Sequence, residues 1–281
     1  MDWKKNIEQS VTQFCKDSEW NYIKKEEAIS PEIAGMRIFD APLIGYASAE
    51  DPLFEELKKT EVIGCHVMLP KDWLPEAKTV ISFFYPFTEA VRKSNRGTIE
   101  TPSSLWLHGR IEGQRFIQKA SLFLLDIFQK NGALCVAPAL DKRFHAAEGT
   151  EYSPEPGWKG QLFTSNWSER HAAFIGGLGT FGLSKGFITE KGIAGRFSSI
   201  ITNVDLPPAS RNYTGIYEYC NWCGACARNC PAHAITLEQG KNHALCREYL
   251  QKTKEKFSPR FGCGKCQTGV PCEYQIPVRR K

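Results

Sequence analysis

Cysteine is unevenly distributed along this chain. Of its 11 cysteines, all but Cys15, Cys65 and Cys135 fall between residues 220 and 272, and the first four read Cys220-Asn-Trp-Cys223-Gly-Ala-Cys226-Ala-Arg-Asn-Cys230-Pro231. This is the C-x2-C-x2-C-x3-C-P run with which bacterial proteins hold 4Fe-4S clusters. Three thiolates spaced by two residues wrap one face of a cubane. The fourth, carried off by the proline, ligates a second cluster. That cluster needs three more cysteines and the first needs one from a distance; Cys246, Cys263, Cys266 and Cys272 supply them. The spacing therefore predicts two 4Fe-4S clusters, one on Cys220, Cys223, Cys226 and Cys272, the other on Cys230, Cys246, Cys263 and Cys266. Zinc sites show two separated C-x2-C pairs rather than a triple run closed by Cys-Pro, so a zinc ribbon or a disulfide framework fits less well.

At 281 residues with 42% hydrophobic content, seven Trp and 17 Phe, the chain can build a substantial core. Its net charge of +5, from 36 basic and 31 acidic residues, gives little reason to expect a nucleic-acid partner. No apolar run approaches the roughly 18 residues that span a bilayer, and the first residues show no twin-arginine signal. The expectation is a cytoplasmic protein without a membrane partner, in a compartment where thiols stay reduced. Cys15, Cys65 and Cys135 are expected to pack as small hydrophobes.

Hydrophobic periodicity predicts a helix over 3–18, on Ile7, Val11 and Phe14, and a long one over 102–131 closed by Gly132. Strands are predicted over 36–46, 79–85, 134–137, 187–189 and 196–202, and a short helix follows Asp51-Pro52. Ser168 is placed to cap a helix through His171 and Phe174 that ends at Gly176 and Gly177. Residues 141–167 lack periodicity and read as a ligand-contacting loop. Interleaved helices and strands followed by a cysteine-rich tail predict an α+β fold, with an α/β-type core over 1–208 and a ferredoxin-like two-cluster module over 209–281.

The stretch Ser168-Glu-Arg-His-Ala-Ala-Phe-Ile-Gly-Gly-Leu-Gly-Thr-Phe-Gly-Leu-Ser-Lys185, the strand pair after it, Asp205-Leu-Pro-Pro and the cysteine run resemble, in that order, the epoxyqueuosine reductase family. Leu74-Pro-Glu-Ala-Lys-Thr-Val-Ile-Ser upstream is similar to that family's entry to a central strand. Cys246-Arg-Glu-Tyr-Leu and Gly262-Cys-Gly-Lys-Cys-Gln downstream are similar to its second cluster segment. The resemblance covers roughly residues 35 to 275. It implies a nitroreductase-like core binding cobalamin, two 4Fe-4S clusters that feed it electrons, and an external low-potential donor of ferredoxin or flavodoxin type. Reductive dehalogenases share this plan. Three departures stand out. Pro271 precedes Cys272 instead of following it. Trp106-Leu-His-Gly-Arg-Ile-Glu-Gly113 puts a glycine at the family's histidine position. The chain ends at Lys281, before the family's helical tRNA-holding extension. A small-molecule substrate is therefore expected rather than tRNA.

On this resemblance Glu169 matches an acidic position near cobalt and is the candidate proton donor. The ordinary reading is a carboxylate in the first turn of a helix. Arg170, Gly176, Gly177, Gly179, His108 and Arg110 are candidate cofactor contacts, the glycines because they admit close backbone approach. Trp222 is expected to shield a cluster, and Lys265 and Arg228 to tune one or to lie in solvent. The expected function is a cobalamin-dependent iron-sulfur reductase. The alternatives are epoxyqueuosine reduction on tRNA, and a non-catalytic electron carrier or reductive activator of a corrinoid protein.

Overall fold

The computed structural model describes residues 2–148 and 163–278. Helix α1 (Trp3–Asp17) starts at Asp2, whose side chain accepts from the Lys5 N–H, and buries Ile7, Val11 and Cys15 at spacings of four. Strand β1 (Leu43–Ser48) is followed by β2 (Thr79–Pro86), α2 (Glu89–Arg96), α3 (Ser104–Lys130) and β3 (Cys135–Val136). Next come α4 (Glu169–Ile175), β4 (Gly179–Phe181), β5 (Phe187–Thr189) and β6 (Gly195–Thr202). The cysteine-rich segment adds a short α5 (Ala225–Arg228), the hairpin β7 (Ile235–Thr236) and β8 (Gly240–Lys241), and α6 (His243–Phe257).

The core is a four-stranded sheet in the order β1-β2-β6-β3, and every neighbouring pair is antiparallel. The fold is therefore α+β, and the α/β-type reading of the core is corrected. All eight positions of β2 are buried. A strand covered on both faces loses its polar alternation and imitates the apolar run of a parallel strand. On one face Ile81, Phe83, Tyr85 and Ile200 pack against α1 and α3. On the other, Val80 and Ile201 pack against Trp167 and the α4 residues Ala172 and Ile175.

The sequence placed the helices and central strands within a few residues. The strand expected at 36–46 forms only from Leu43, after single bridges at Arg37 and Phe39. Residues 146–148 and 163–165 pair antiparallel, and positions 149–162 of the loop read as ligand-contacting lie outside the described residues. Cys15 is buried and Cys135 half-buried as expected for small hydrophobes, but Cys65 is exposed.

The cysteine-rich segment has little regular structure of its own and is held on α2 and α3 by buried polar groups. Glu273, beside Cys272 and 1% exposed, accepts from Arg96 Nε at 2.7 Å and from the Gly269 N–H at 2.6 Å, with Arg92 at 3.4 Å. The Ile193 and Ala194 N–H groups donate to the carbonyls of Cys272 and Glu273 at 2.8 and 3.2 Å. Buried Asn95 donates to the Cys263 carbonyl at 3.1 Å. Gly264, between Cys263 and Cys266, has φ +71° and lies against the Trp106 indole so closely that a Cβ would fall 2.0 Å from the ring. No other residue fits both constraints.

Removing the Glu273 carboxylate strands the two arginines. Glu273→Ala is expected to cost about 3 kcal/mol, the low end for breaking a buried pair because Arg96 keeps contact with water. Denaturant midpoints of cluster-loaded protein measure it, with Glu89→Ala, which breaks an exposed pair with Lys93, as the neutral comparison. Equal midpoints for the two variants would falsify the anchoring role.

Candidate functional site

The eight clustered cysteines separate into two sets. Cys220, Cys223, Cys226 and Cys272 line one small cavity together with Ile188, Ile193 and Val270. Burial, and then the charges of Cys226, Cys220 and Cys223, push the Cys272 thiol up to about 12. Cys263 is likewise raised to about 12, by burial and then by Cys266, Cys246 and Cys230, which marks the second set. Cys226 also feels Cys266, so the two sets adjoin. The backbone N–H of Ala234 donates to Cys230 Sγ at 3.3 Å, and the Cys223 carbonyl accepts from Arg228 at 3.0 Å. Among the described residues no three His, Cys, Asp or Glu side chains converge as ligands of a single metal ion. Two sets of four thiols are the donor chemistry of two cubanes.

Trp222 does not seal its set. It is 47% exposed, lies tilted against the Tyr217 ring at 5.7 Å, and with Cys220 and Cys223 lines an open cleft of about 520 Å³. Lys265 is buried rather than solvated. Its ammonium donates to the carbonyls of Asn95 and Thr98 and to Thr98 Oγ1, and in sequence it stands between Cys263 and Cys266.

Glu169 opens α4, on the sheet face opposite α1. Both carboxyl oxygens are buried, and neither has a hydrogen-bond partner among the described residues. Its polar neighbours Trp167 and Ser199 are bonded to each other, the indole Nε1 donating to Ser199 Oγ at 2.9 Å. Burial pushes the Glu169 carboxyl up to about 7, which its two polar neighbours only partly offset. A helix-start carboxylate in water would not behave so. His171 bonds Ser168 at 2.8 Å, and burial followed by the Arg170 charge brings it down to about 4, so it is neutral at pH 7. Arg170 keeps exposed surface although desolvation lowers its guanidinium pKa, and its charge reaches Cys266 of the second thiol set.

The other sequence candidates are engaged by the protein itself. The imidazole of buried His108 accepts from the Ile29 N–H at 3.2 Å and lies 3.0 Å from Glu112. Burial raises Glu112, but hydrogen bonds from His108 and Arg260 prevail and bring it down to about 2. Arg110 lies over the Phe261 ring at 4.3 Å. A Cβ on Gly176 would meet the Ala172 carbonyl at 3.1 Å, one on Gly177 the Ala209 side chain at 3.1 Å, and one on Gly179 the Ile188 carbonyl at 2.0 Å. Internal packing thus accounts for all three glycines. Arg170, Glu169 and the second thiol set are what the fold brings together. Sequence reasoning passed over His243 at the start of α6, which desolvation and then the charges of Lys241, Arg170 and Lys185 bring down to about 4.

No family model matches the chain. Over 109 residues it is 38% identical to a tetrachloroethene reductive dehalogenase of Desulfitobacterium hafniense, the match taking in 36% of this chain and 20% of that protein. Over 134 residues it is 28% identical to the epoxyqueuosine reductase of Listeria monocytogenes, taking in 44% of this chain and 34% of that protein. The structure superposes on epoxyqueuosine reductase from Streptococcus thermophilus with a TM-score of 0.50 at 16% identity, covering 99% of this chain and 68% of that one. It superposes on a reductive dehalogenase, described as suggesting a mechanism for B12-dependent dehalogenation, with a TM-score of 0.51 at 14% identity, covering 84% and 30%. The fold is that of the epoxyqueuosine reductases and reductive dehalogenases. The sequence matches span only a fifth to about a third of the curated relatives. Among the described residues no helix is long and apolar enough to cross a membrane.

A carboxyl raised from 4.5 to about 7 by folding binds a proton more tightly in the native state. Its contribution to stability is complete below pH 4.5 and is lost as pH rises through 7. Relative to Glu169→Gln, the wild type should lose about 1.4 kcal/mol per pH unit over that window and no more above it. Urea denaturation at intervals from pH 5 to 8 measures the difference. A gap that does not change with pH would mean that Glu169 is ionised throughout.

Proposed function

We propose that this chain is a cobalamin-dependent iron-sulfur reductase that takes electrons from an external low-potential donor and passes them to a small-molecule substrate. Glu169 carries the reading: a buried carboxyl that burial raises to about 7, whose polar neighbours among the described residues are Trp167 and Ser199, next in sequence to Arg170, whose charge bears on Cys266 of the second thiol set. A plain electron carrier has no use for such a group. A reductase that must protonate a leaving oxygen or halide does.

The proposed cluster ligands are Cys220, Cys223, Cys226 and Cys272 for one 4Fe-4S cluster and Cys230, Cys246, Cys263 and Cys266 for the other. Cobalamin would supply a low-potential cobalt centre for the reduction, fed one electron at a time. The rest falls to the chain's own residues. Arg170 is the proposed cofactor contact among the sequence candidates, since His108 and the glycines are taken up by internal packing. Glu169 holds a proton at its carboxyl in a site where water competes poorly. The Trp222 cleft, where Cys220 and Cys223 come to the surface, is the proposed approach for a donor of ferredoxin or flavodoxin type. The division at residue 208 into a cobalamin domain and a ferredoxin-like module, and a nitroreductase-like ancestry for the first, belong to the same proposal. The small-molecule preference is supported by the weak net charge of +5.

Anaerobically prepared protein should contain about eight irons per chain, the sum of two four-iron clusters, and should retain added cobalamin through gel filtration with a corrinoid absorption band. About four irons, stoichiometric zinc, or iron-sulfur absorption with no retained corrinoid would refute the reading. With titanium(III) citrate as reductant and a panel of aryl halides and epoxides as substrates, Glu169→Gln should keep both cofactors and lose about 100-fold in turnover. Wild-type turnover should fall as pH rises past about 7.

A further inference from the structure

Backbone strain and exposed aromatic surface coincide at the mouth of the first thiol set. Among the described residues three that are not glycine take the left-handed conformation: Lys185 at φ 58°, Trp222 at φ 52° and His233 at φ 47°. The first two converge on one ring. The Lys185 ammonium donates to the Tyr217 hydroxyl at 2.6 Å, and the Trp222 indole lies against the Tyr217 ring at 5.7 Å between centroids. Tyr217 and Trp222 line the open cleft of about 520 Å³ together with Cys220, Cys223, Arg228 and Pro271. Cys226 and Cys272 line only the smaller cavity behind it, so the cleft lies outside the four-thiol cage. Packing does not account for the arrangement. A left-handed backbone costs free energy at any residue but glycine, and an indole left 47% exposed recovers little of it by burial. The polar groups at the cleft divide into those already used and those on offer. Asn221 is used: its amide donates to the Val278 carbonyl at 3.0 Å and accepts from the Cys223 N–H at 3.3 Å. Arg228 folds back to place one N–H on the Cys223 carbonyl at 3.0 Å, and a guanidinium has others to give. Lys185 fills an acceptor site of the Tyr217 hydroxyl and leaves that hydroxyl its proton to donate. Among the described residues no acidic side chain lines the cleft.

We infer that this cleft receives the ring edge of a reduced flavin carried by a flavodoxin-type donor, stacked on Trp222 and met by Arg228 and the Tyr217 hydroxyl. A flavin is flat and aromatic, and its hydroquinone is an anion with carbonyl oxygens along one edge. It uses each thing the cleft offers: a π face, a cation and a hydroxyl donor. The volume falls within the roughly 300–1,000 Å³ of small-molecule sites. The cleft is open, so it covers one edge of a ring whose remainder stays in its own protein. An iron-sulfur donor, whose cluster sits under backbone and cysteine, has no ring to stack and no use for the indole. The inference rests on the proposed reductase for the cluster that takes the electron, and it narrows the donor to a flavoprotein. The anionic flavin loses one electron and becomes neutral, the cluster proposed on Cys220, Cys223, Cys226 and Cys272 is reduced by that electron, and no proton has to move.

The experiment mixes cluster-loaded protein with a reduced flavodoxin, a reduced ferredoxin or titanium(III) citrate in a stopped-flow instrument and follows the bleaching of the clusters. Each protein donor's rate is divided by the titanium(III) rate of the same preparation, since that reductant has no ring to stack. Flavodoxin should reduce the wild type faster than ferredoxin does. Trp222→Leu should lower the flavodoxin ratio about 10-fold, the worth of one lost stacking contact, and Trp222→Phe should recover part of it. Arg228→Gln should lower it more at low salt than at high. Leu122→Ala, at an exposed leucine of α3, is the comparison and should change nothing. A second measurement titrates oxidised FMN with the protein and reads the loss of flavin fluorescence on stacking, which Trp222→Leu should weaken. Iron content and circular dichroism confirm that the variants fold. A flavodoxin ratio that ignores Trp222, or a ferredoxin ratio that falls with it equally, would overturn the inference. So would tight binding of free FMN with flavodoxin no faster than ferredoxin, which would make the occupant a free flavin. Neither readout involves cobalt. Protein that retains no corrinoid but shows the Trp222 dependence would keep the cleft and refute the reductase; retained corrinoid without that dependence would do the reverse.

Discussion

A single buried carboxylate sets the terms for the cysteine-rich half of this molecule. Glu273 stands beside Cys272 and meets Arg92 and Arg96, two residues of a helix that belongs to the sheet domain. The segment it anchors is mostly loop, and a loop that must present thiols cannot bury much apolar surface of its own. Its position therefore depends on polar groups planted in the core. Lys265 on the carbonyls that end α2, and Arg260 on Glu112 and the Glu27 carbonyl, repeat the device. Each is an ion or ammonium group satisfied on several sides, the condition under which burying charge fixes geometry without heavy loss. Trp106 completes the seat, because only glycine at 264 lets the loop pass its ring.

The sheet explains why the chemistry gathers where it does. Its two central strands are covered on both faces, one by α1 and α3, the other by α4. α3 carries the seat for the cysteine segment at its start, and α4 carries Glu169 and Arg170 at its own. At the start of α4 a buried carboxyl raised to about 7 and a neutral imidazole make a place whose protonation depends on burial rather than on solvent.

Much of this was legible before any coordinates. The gathering of the cysteines into one segment was legible from their spacing, and their division into two ligand sets stays a proposal that rests on that spacing. Helices α1 and α3 were legible from their stripes and caps. The direction of the sheet was not: β2 is apolar on both faces, so its pattern carries no sign of parallel or antiparallel partners. His108 looked like a ligand contact because a histidine beside two basic residues has no visible partner in sequence, whereas Ile29 and Glu112 occupy it in space. The glycines after α4 were legible as a tight turn, but which side of them is crowded depends on β1, β5 and Ala209, all distant along the chain.

The surroundings of the two thiol sets differ in kind. Cys220, Cys223, Cys226 and Cys272 sit among Ile188, Ile193 and Val270, next to an open cleft. Lys265 stands between Cys263 and Cys266 in sequence with its ammonium buried on the carbonyls of Asn95 and Thr98, its charge bears on Cys263, and Cys266 feels Lys241 and Arg170. Positive charge beside a cluster stabilises its reduced form, and apolar surroundings do the reverse. On the proposed ligand sets, a cluster held by the second set would therefore be the easier of the two to reduce.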